Sequence, residues 1–142
     1  MPFDGNQWNM EKLVSLQEIL DRVHYTFPLQ LSRLEDLPND TSKNYKINNY
    51  QGQFAIISSV TNPFCDTCNR IRLTADGKLK NCLFSGNEFS LLQPLRDKKP
   101  LAPIIQNALQ HKFKSRGGMD TSEKLENPAL HTQNRSMISI GG

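Results

Sequence analysis

Three cysteines lie close enough in the sequence to share one metal centre. Cys65 and Cys68 form a C-x2-C pair, and Cys82 follows after thirteen further residues. A C-x2-C turn brings two thiolates within reach of one ion, and thiolates are ligands that zinc and iron–sulfur clusters prefer. The first residues lack the basic and apolar regions of a secretory signal, so we do not expect a disulfide framework.

Four uses of these thiols remain open from the spacing alone. A structural zinc site is the commonest context of a C-x2-C pair, but zinc needs a fourth ligand, and His24, His111 and His131 all stand at unconvincing spacings. A redox disulfide between Cys65 and Cys68 lacks the βαβ pattern of thioredoxin-like proteins. Three buried, inert cysteines are the third use. An iron–sulfur cubane held by three cysteines would keep one iron without a protein ligand, and such an open position can bind a substrate.

Two arginines alternate in the segment between the second and third cysteines. In a strand, Arg70 and Arg72 point to the same side, and such pairs usually form a solvated face. Beside a metal centre, two guanidinium forks can instead bind a phosphate chain through paired hydrogen bonds. The residues alone leave both interpretations open.

Residues 69–84 predict a β-hairpin, and its register decides where the third cysteine lies. Asp76-Gly77 between two alternating runs is a strong turn signal. A type I turn closed by a G1 bulge pairs Thr74 with Lys78 and separates polar from apolar residues, whereas a two-residue turn would mix them. We therefore predict the bulged register. Its polar face carries Arg70, Arg72, Thr74, Lys78, Lys80 and Cys82, and its other face carries Ile71, Leu73, Leu79 and Leu83, along with Asn81.

The elements that position this hairpin are predicted from apolar periodicity and turn residues. An apolar stripe with Asn9 as N-cap predicts a helix from about Met10 to Tyr25. Residues 115–142 show no clear period and predict a mobile, irregular tail. Two strands are expected at 45–50 and 54–60, a connecting loop at 26–43, and helices at 90–96 and 101–113.

Composition excludes several classes of protein. The 142 residues include 17 Lys and Arg against 14 Asp and Glu, and a formal charge of +3 is too small to indicate a nucleic-acid or membrane partner. No apolar run approaches the ~18 residues that a membrane helix needs. The chain is also too short for a catalytic barrel of about 250 residues.

The chain closely resembles the C-terminal half of the MoaA family, the radical S-adenosylmethionine GTP 3′,8-cyclases of molybdenum-cofactor biosynthesis. The resemblance lies in 64–77 with 82–84, in 1–8 and in the terminal Gly-Gly. It implies that Cys65, Cys68 and Cys82 bind an auxiliary [4Fe–4S] cluster whose open iron takes the guanine of GTP. It also implies that Arg70, Ile71 and Arg72 hold GTP, and that Gly141 and Gly142 belong to a catalytic tail.

The family's N-terminal C-x3-C-x2-C triplet, which binds a second [4Fe–4S] cluster and S-adenosylmethionine, is absent. The resemblance therefore implies an α+β fragment, with Met1 an internal methionine of the parent. It would be an incomplete C-terminal portion of a radical S-adenosylmethionine partial barrel, with a cluster-bearing hairpin flanked by helices. In this division, 1–60 ends the barrel, 61–114 forms the auxiliary cluster domain, and 115–142 is an extended tail.

The complete family enzyme converts GTP to (8S)-3′,8-cyclo-7,8-dihydroguanosine 5′-triphosphate, and we expect no such activity from these residues alone. The resemblance suggests a homodimer for the full enzyme, with GTP as ligand and neither nucleic acid nor membrane as partner. It implies a bacterial cytoplasmic protein, or a mitochondrial matrix protein in a eukaryote. The rival hypothesis is a structural zinc module whose basic hairpin face contacts nucleic acid or protein. Trp8 and the three histidines are expected to be structural or surface residues.

Overall fold

The computed structural model describes residues 2–136 and 138, and the chain divides into two units. The first, called here the 13–68 unit, runs from Leu13 to Cys68. The second, called the hairpin unit, combines the residues up to Lys12 with those from Asn69 onward. The division into three segments at 1–60, 61–114 and 115–142 stays a prediction. Both units mix helices or helical turns with a small antiparallel sheet, so the secondary structure is α+β.

The 13–68 unit is one helix followed by a three-stranded sheet. Tyr45 is buried in the central strand, and its ring stacks on Phe54 of the neighbouring strand with centroids 5.6 Å apart. Arg33 belongs to the strand on the other side of the central strand, and its guanidinium lies 4.9 Å from the centre of the Tyr45 ring. The elements are α1 (Leu16–Thr26), β1 (Leu31–Arg33), β2 (Lys43–Ile47) and β3 (Gln53–Ile56), in the sheet order β1-β2-β3.

Helix α1 begins later than its apolar stripe predicts. Asn9 caps only a short 3₁₀ turn, where its Oδ1 accepts from the backbone N of Lys12 at 3.2 Å. The α-helix starts after Ser15, whose hydroxyl accepts from the Glu18 backbone N at 3.1 Å while its own N donates to the Glu18 carboxylate at 2.8 Å. This reciprocal capping box satisfies two N–H groups at the helix start, which explains why the helix begins there.

The hairpin unit contains the second sheet and four helices among its described residues. The predicted helices at 90–96 and 101–113 are present in shortened form, while the strand before them was not predicted from the sequence. The elements are β4 (Arg72–Leu73), β5 (Lys78–Lys80), β6 (Glu88–Ser90), α2 (Leu92–Arg96), α3 (Ala102–Gln110), α4 (Ser122–Glu126) and α5 (Pro128–Thr132), with β5 between β4 and β6.

The predicted hairpin register is confirmed. The Thr74 backbone N donates to the Lys78 carbonyl at 2.9 Å, and the Gly77 N donates back to Thr74 at 2.9 Å. Gly77 has φ +75°, the left-handed conformation that closes a G1 bulge. Strand pairing continues the same register, with Arg72 opposite Lys80.

The burial of the two hairpin faces differs from the expectation. Lys80, on the polar face, is fully buried, whereas Leu73, on the apolar face, is 69% exposed. In the central strand, Lys78–Lys80, the apolar side chain of Leu79 lies in the core of this unit. Because β5 lies between two strands and is covered by more of the chain, position in the sheet outweighs the polarity of the pattern.

Residues 115–136, the continuously described part of the predicted tail and called here the C-terminal segment, form two short helices instead of an irregular structure. Thr121 caps α4 and Asn127 caps α5, each accepting a hydrogen bond from a backbone N of the first turn. Leu125 and His131 are buried, so these helices contribute to the core of the hairpin unit. The core contains Phe3, Leu79, Phe84, Ala108, Met119 and Leu125.

Every helix within the described residues is too short or too polar to span a bilayer.

Candidate metal centre

Cys65 and Cys68 lie at the two ends of one 3₁₀ turn in the 13–68 unit. The turn spans Cys65–Thr67, and the Cys68 backbone N donates to the Cys65 carbonyl at 3.1 Å. Both thiols are half-buried. A closed turn of this kind is what the C-x2-C spacing predicts for the backbone, while the approach of both thiols to one ion stays a prediction.

Cys82 belongs to the hairpin unit and follows the end of β5. Its thiol is half-buried, and its carbonyl accepts from the Ser85 backbone N at 3.2 Å, which closes a tight turn. The preceding Asn81 is fully buried and donates through Nδ2 to the Ala108 carbonyl at 2.7 Å, which ties the end of β5 to α3. Its Oδ1 has no partner among the described residues. The third cysteine is therefore carried by well-anchored backbone.

All three cysteines lie in the described part of the chain, and none of them forms a disulfide there. Over the same residues, no three His, Cys, Asp or Glu side chains are close enough together to hold one metal ion. The C-x2-C turn and Cys82 belong to different units. The chemistry of the donors suits a soft metal, while the gathering of the three thiols stays a prediction.

The histidines and Trp8 have structural or surface positions, as expected. His131 is buried, and its Nε2 donates to the Leu125 carbonyl at 2.5 Å, while its ring meets Trp8 edge-on at a centroid distance of 5.9 Å. His111 is exposed and its Nδ1 contacts the carbonyl of Asn107 at 2.8 Å. His24 is exposed in α1. These partners account for the imidazoles of His111 and His131.

The three predicted substrate residues lie at the start of β4. Arg70 and Ile71 immediately precede this strand, and Arg72 is its first residue. Arg72 is half-buried, and Arg70 is exposed. The ammonium of Lys112, just beyond α3, donates to the Arg70 carbonyl at 2.9 Å and supports the backbone there. The pair is thus neither a freely solvated face nor a buried one.

An ion cluster that the sequence did not reveal lies at the turn end of the hairpin. Arg135 donates to the two Asp76 oxygens at 3.2 and 3.1 Å and also to the Glu88 carboxylate. Nζ of Lys78 lies 3.4 Å from Oδ2 of Asp76 and 3.3 Å from Oε2 of Glu88. The hydrogen bonds from Arg135, with a further one from Thr74, hold the pKa of Asp76 far below its ordinary value. No local pattern predicts this cluster, because Arg135 lies 59 residues from Asp76.

A second, buried polar group lies beneath the same hairpin. Lys80 is fully buried at the end of β5, and its ammonium donates to the Ser85 carbonyl and, at 2.8 Å, to Oδ1 of Asn134. Burial lowers the pKa of Lys80, and the negative charge of Glu88 opposes that shift. Asn134 is also fully buried. Neither residue was singled out from the sequence, because their contact spans 54 residues.

The predicted catalytic glycines, Gly141 and Gly142, lie outside the described residues.

Residues 1–117 match the family model described as Molybdenum Cofactor Synthesis C. The chain is 44% identical to "GTP 3′,8-cyclase, mitochondrial" of Arabidopsis thaliana, over all of this chain and 35% of that protein. It is 42% identical to "Molybdenum cofactor biosynthesis protein 1" of Mus musculus, over 99% of this chain and 21% of that protein. A bacterial relative, "GTP 3′,8-cyclase" of Desulforamulus reducens, is 34% identical over 75% of this chain and 34% of its own length. The chain thus spans a fifth to a third of the relatives it matches.

Proposed function

Because the chain belongs to the Molybdenum Cofactor Synthesis C family, we propose that it is the part of a GTP 3′,8-cyclase that binds GTP beside an auxiliary [4Fe–4S] cluster. In the complete enzyme, GTP would become (8S)-3′,8-cyclo-7,8-dihydroguanosine 5′-triphosphate in molybdenum-cofactor biosynthesis. The observation that carries the proposal is a closed C-x2-C turn followed in the sequence by a third cysteine on anchored backbone, with thirteen residues between Cys68 and Cys82.

The donor set fits such a cluster. Cys65, Cys68 and Cys82 supply three half-buried thiols, and thiolates are the usual ligands of iron–sulfur clusters. Zinc fits less well, because its structural sites need four ligands, His111 and His131 already have other partners, and His24 stands at an unconvincing spacing. When bound, the cluster would supply one iron with an open coordination position for the guanine base.

The arginines would hold the phosphates. Arg70 and Arg72 each present a planar fork that matches phosphate oxygens in two parallel hydrogen bonds. Arg72 is half-buried opposite Lys80 in the sheet, so its side chain starts from a restricted backbone. The hydrogen bond from Lys112 to the Arg70 carbonyl restricts the backbone before it. Backbone that is already ordered loses less conformational entropy when the triphosphate binds.

The contribution of this chain to the reaction would be orientation. The radical chemistry that joins C3′ of the ribose to C8 of guanine would be supplied by S-adenosylmethionine and the other cluster of the whole enzyme, and the residues of this chain would hold those two carbons close together. Holding the ribose and base at near-attack geometry lowers the entropic part of that barrier. In this proposal Gly141 and Gly142 have a catalytic role, and the whole enzyme is a homodimer.

We propose a mitochondrial location, the second of the two locations that the resemblance implies. The Arabidopsis relative is named as mitochondrial and is 44% identical to this chain, whereas the bacterial relative is 34% identical. Fractionation followed by immunodetection tests the location. Recovery in the cytosolic fraction alone would contradict it.

Metal analysis tests the proposed cluster. After anaerobic reconstitution with iron and sulfide, the chain should be brown and contain about four irons per molecule. Cys82→Ser should lose most of the iron, whereas the control Ser90→Ala, at an exposed position of β6, should retain it. A colourless protein that instead takes up one zinc ion would overturn the proposal and favour the zinc module.

A further inference from the structure

Lys80 is the most unusual buried residue of the hairpin unit. Lysine is almost never fully buried unless its ammonium is held by several polar groups, because a buried charge loses its hydration. Here the ammonium donates to the Ser85 carbonyl and to Asn134 Oδ1. The structure therefore maintains this burial through two specific acceptors.

The side-chain amide and the backbone of Asn134 both form hydrogen bonds within the hairpin unit. Oδ1 accepts from Lys80 at 2.8 Å, and Nδ2 donates to the Leu83 carbonyl at 3.0 Å. Its backbone carbonyl accepts from the Asp4 N at 3.0 Å, and its backbone N donates to the His131 carbonyl at 3.0 Å. The residue thus joins the end of α5 to the segment that follows β5.

These contacts converge on residues 82–86, called here the cysteine loop. Lys80 and Asn134 hold two of its carbonyls, and the hydrogen bond from Ser85 N to Cys82 closes it. A Cβ on Gly86 would lie 2.6 Å from the Gln133 carbonyl oxygen. The loop therefore lies directly against the backbone of the C-terminal segment, with no room for a side chain between them.

We propose that Lys80 and Asn134 are positioning residues for the third cysteine. They hold the cysteine loop in the shape that presents Cys82, and they make the C-terminal segment part of its support. The inference rests on the proposed function in that it gives Cys82 a metal to bind. The hydrogen bonds that carry it all lie within the hairpin unit.

Hydrogen exchange of the full 142-residue chain tests the proposal. Asn134→Ala and Lys80→Met should each accelerate exchange in the cysteine loop by about tenfold, because the first leaves the Leu83 carbonyl without its donor and the second does the same to the Ser85 carbonyl. Exchange in α3 should stay unchanged. Lys99→Met is the matched control, because the Lys99 side chain is 67% exposed. Unchanged protection of the loop, or equal acceleration in the loop and α3, would overturn the proposal.

A milder variant keeps the test decisive if the first two fail to fold. Asn134→Asp retains an acceptor for the Lys80 ammonium but cannot donate to Leu83. Its exchange should accelerate in the cysteine loop by a few-fold, with α3 again unchanged. Loop protection equal to that of the unaltered chain would contradict the role of Asn134.

Iron retention separates this inference from the proposed function. Reconstituted Asn134→Asp should lose iron to a chelator several-fold faster than the unaltered chain. If the unaltered chain binds no iron, the proposed function fails while the exchange comparison still decides the positioning role. If it binds iron and the variants match it in both exchange and iron loss, the positioning role fails and the proposed function stands.

Discussion

Arg70 and Arg72 differ in how the surrounding chain supports them. Arg72 is half-buried in β4, whereas Arg70 is exposed on backbone held by Lys112. Replacing either arginine by alanine should weaken GTP binding to the iron-loaded chain by about tenfold or more, because a charge-assisted bond to phosphate is lost. Equilibrium dialysis with GTP measures the loss, and iron content should remain near normal.

The control for this prediction is Arg72→Lys. Lysine keeps the positive charge but cannot form the paired hydrogen bonds of a guanidinium, so its GTP affinity should fall between that of the unaltered chain and that of Arg72→Ala. Affinity for GTP that is unchanged in both alanine variants would remove these residues from the binding site.

Asp36 makes the stability of the 13–68 unit depend on pH. Hydrogen bonds from Arg33 and from Asn44 lower its pKa from 3.8 to about 2. Because this pKa is depressed in the folded state, the stabilisation is complete above pH 3.8 and is lost as pH falls through about 2. Asp36→Asn should therefore melt at a lower temperature than the unaltered chain at pH 6, and at nearly the same temperature at pH 2. A melting difference that stays constant between these pH values would contradict the assignment.

Among the connecting elements, the 3₁₀ turn Arg116–Gly118 depends most on a glycine. Gly117 has φ +61°, and a Cβ there would lie 2.4 Å from the Ser85 backbone N. Gly117→Ala should destabilise the hairpin unit by about 2–3 kcal/mol, since it combines backbone strain with overlap. Urea unfolding followed by circular dichroism measures this change.

Gly5 provides the matched comparison, because it has φ +75° but nothing within 4 Å of its Cβ position. Gly5→Ala should cost only the strain of the left-handed backbone, about 1 kcal/mol. Equal losses of stability in the two variants would show that close approach to the cysteine loop is unimportant.

The hairpin shows which elements the sequence could predict. Its register follows from Asp76-Gly77 and from alternation within sixteen residues, so local information is sufficient. The start of α1 was also encoded locally, in the reciprocal Ser15 and Glu18 pair, although the apolar stripe extended the prediction too far toward Met10.

Elements that depend on distant partners were not predictable in the same way. Helices α4 and α5 are short and lack a sustained apolar period. Contacts with distant residues, such as that of Asn134 with Lys80, therefore stabilise this part of the chain. The burial of Lys80 follows from the same distant contact. The spacing of the cysteines was sufficient to predict them as candidate ligands, whereas it did not predict the residues that support their backbone.

For the whole molecule, the number of cysteines limits the chemistry. The proposed auxiliary cluster uses all three, and none is left for a second cluster that could bind S-adenosylmethionine. The reconstituted chain supplied with dithionite, GTP and S-adenosylmethionine should therefore produce no 5′-deoxyadenosine. Chromatography of the reaction mixture measures this product. Its formation above the level seen without protein would contradict the assignment of the cysteines.

The division into two units places the proposed ligands in separate parts of the chain. Cys65 and Cys68 end one unit, and Cys82 belongs to the other. Under the proposed function, a cluster that binds only the folded chain would raise its stability against unfolding.

The C-terminal segment is attached by two polar contacts, the ion pairs of Arg135 and the hydrogen bond of Asn134 with Lys80, and these differ in their exposure to counterions. Arg135 and its carboxylate partners are partly exposed, so added salt screens their attraction within a Debye length of about 8 Å at physiological ionic strength. The Lys80–Asn134 contact is shielded from mobile ions by its burial. Raising the potassium chloride concentration therefore offers a way to loosen the outer attachment while the inner one remains closed, without changing a single residue.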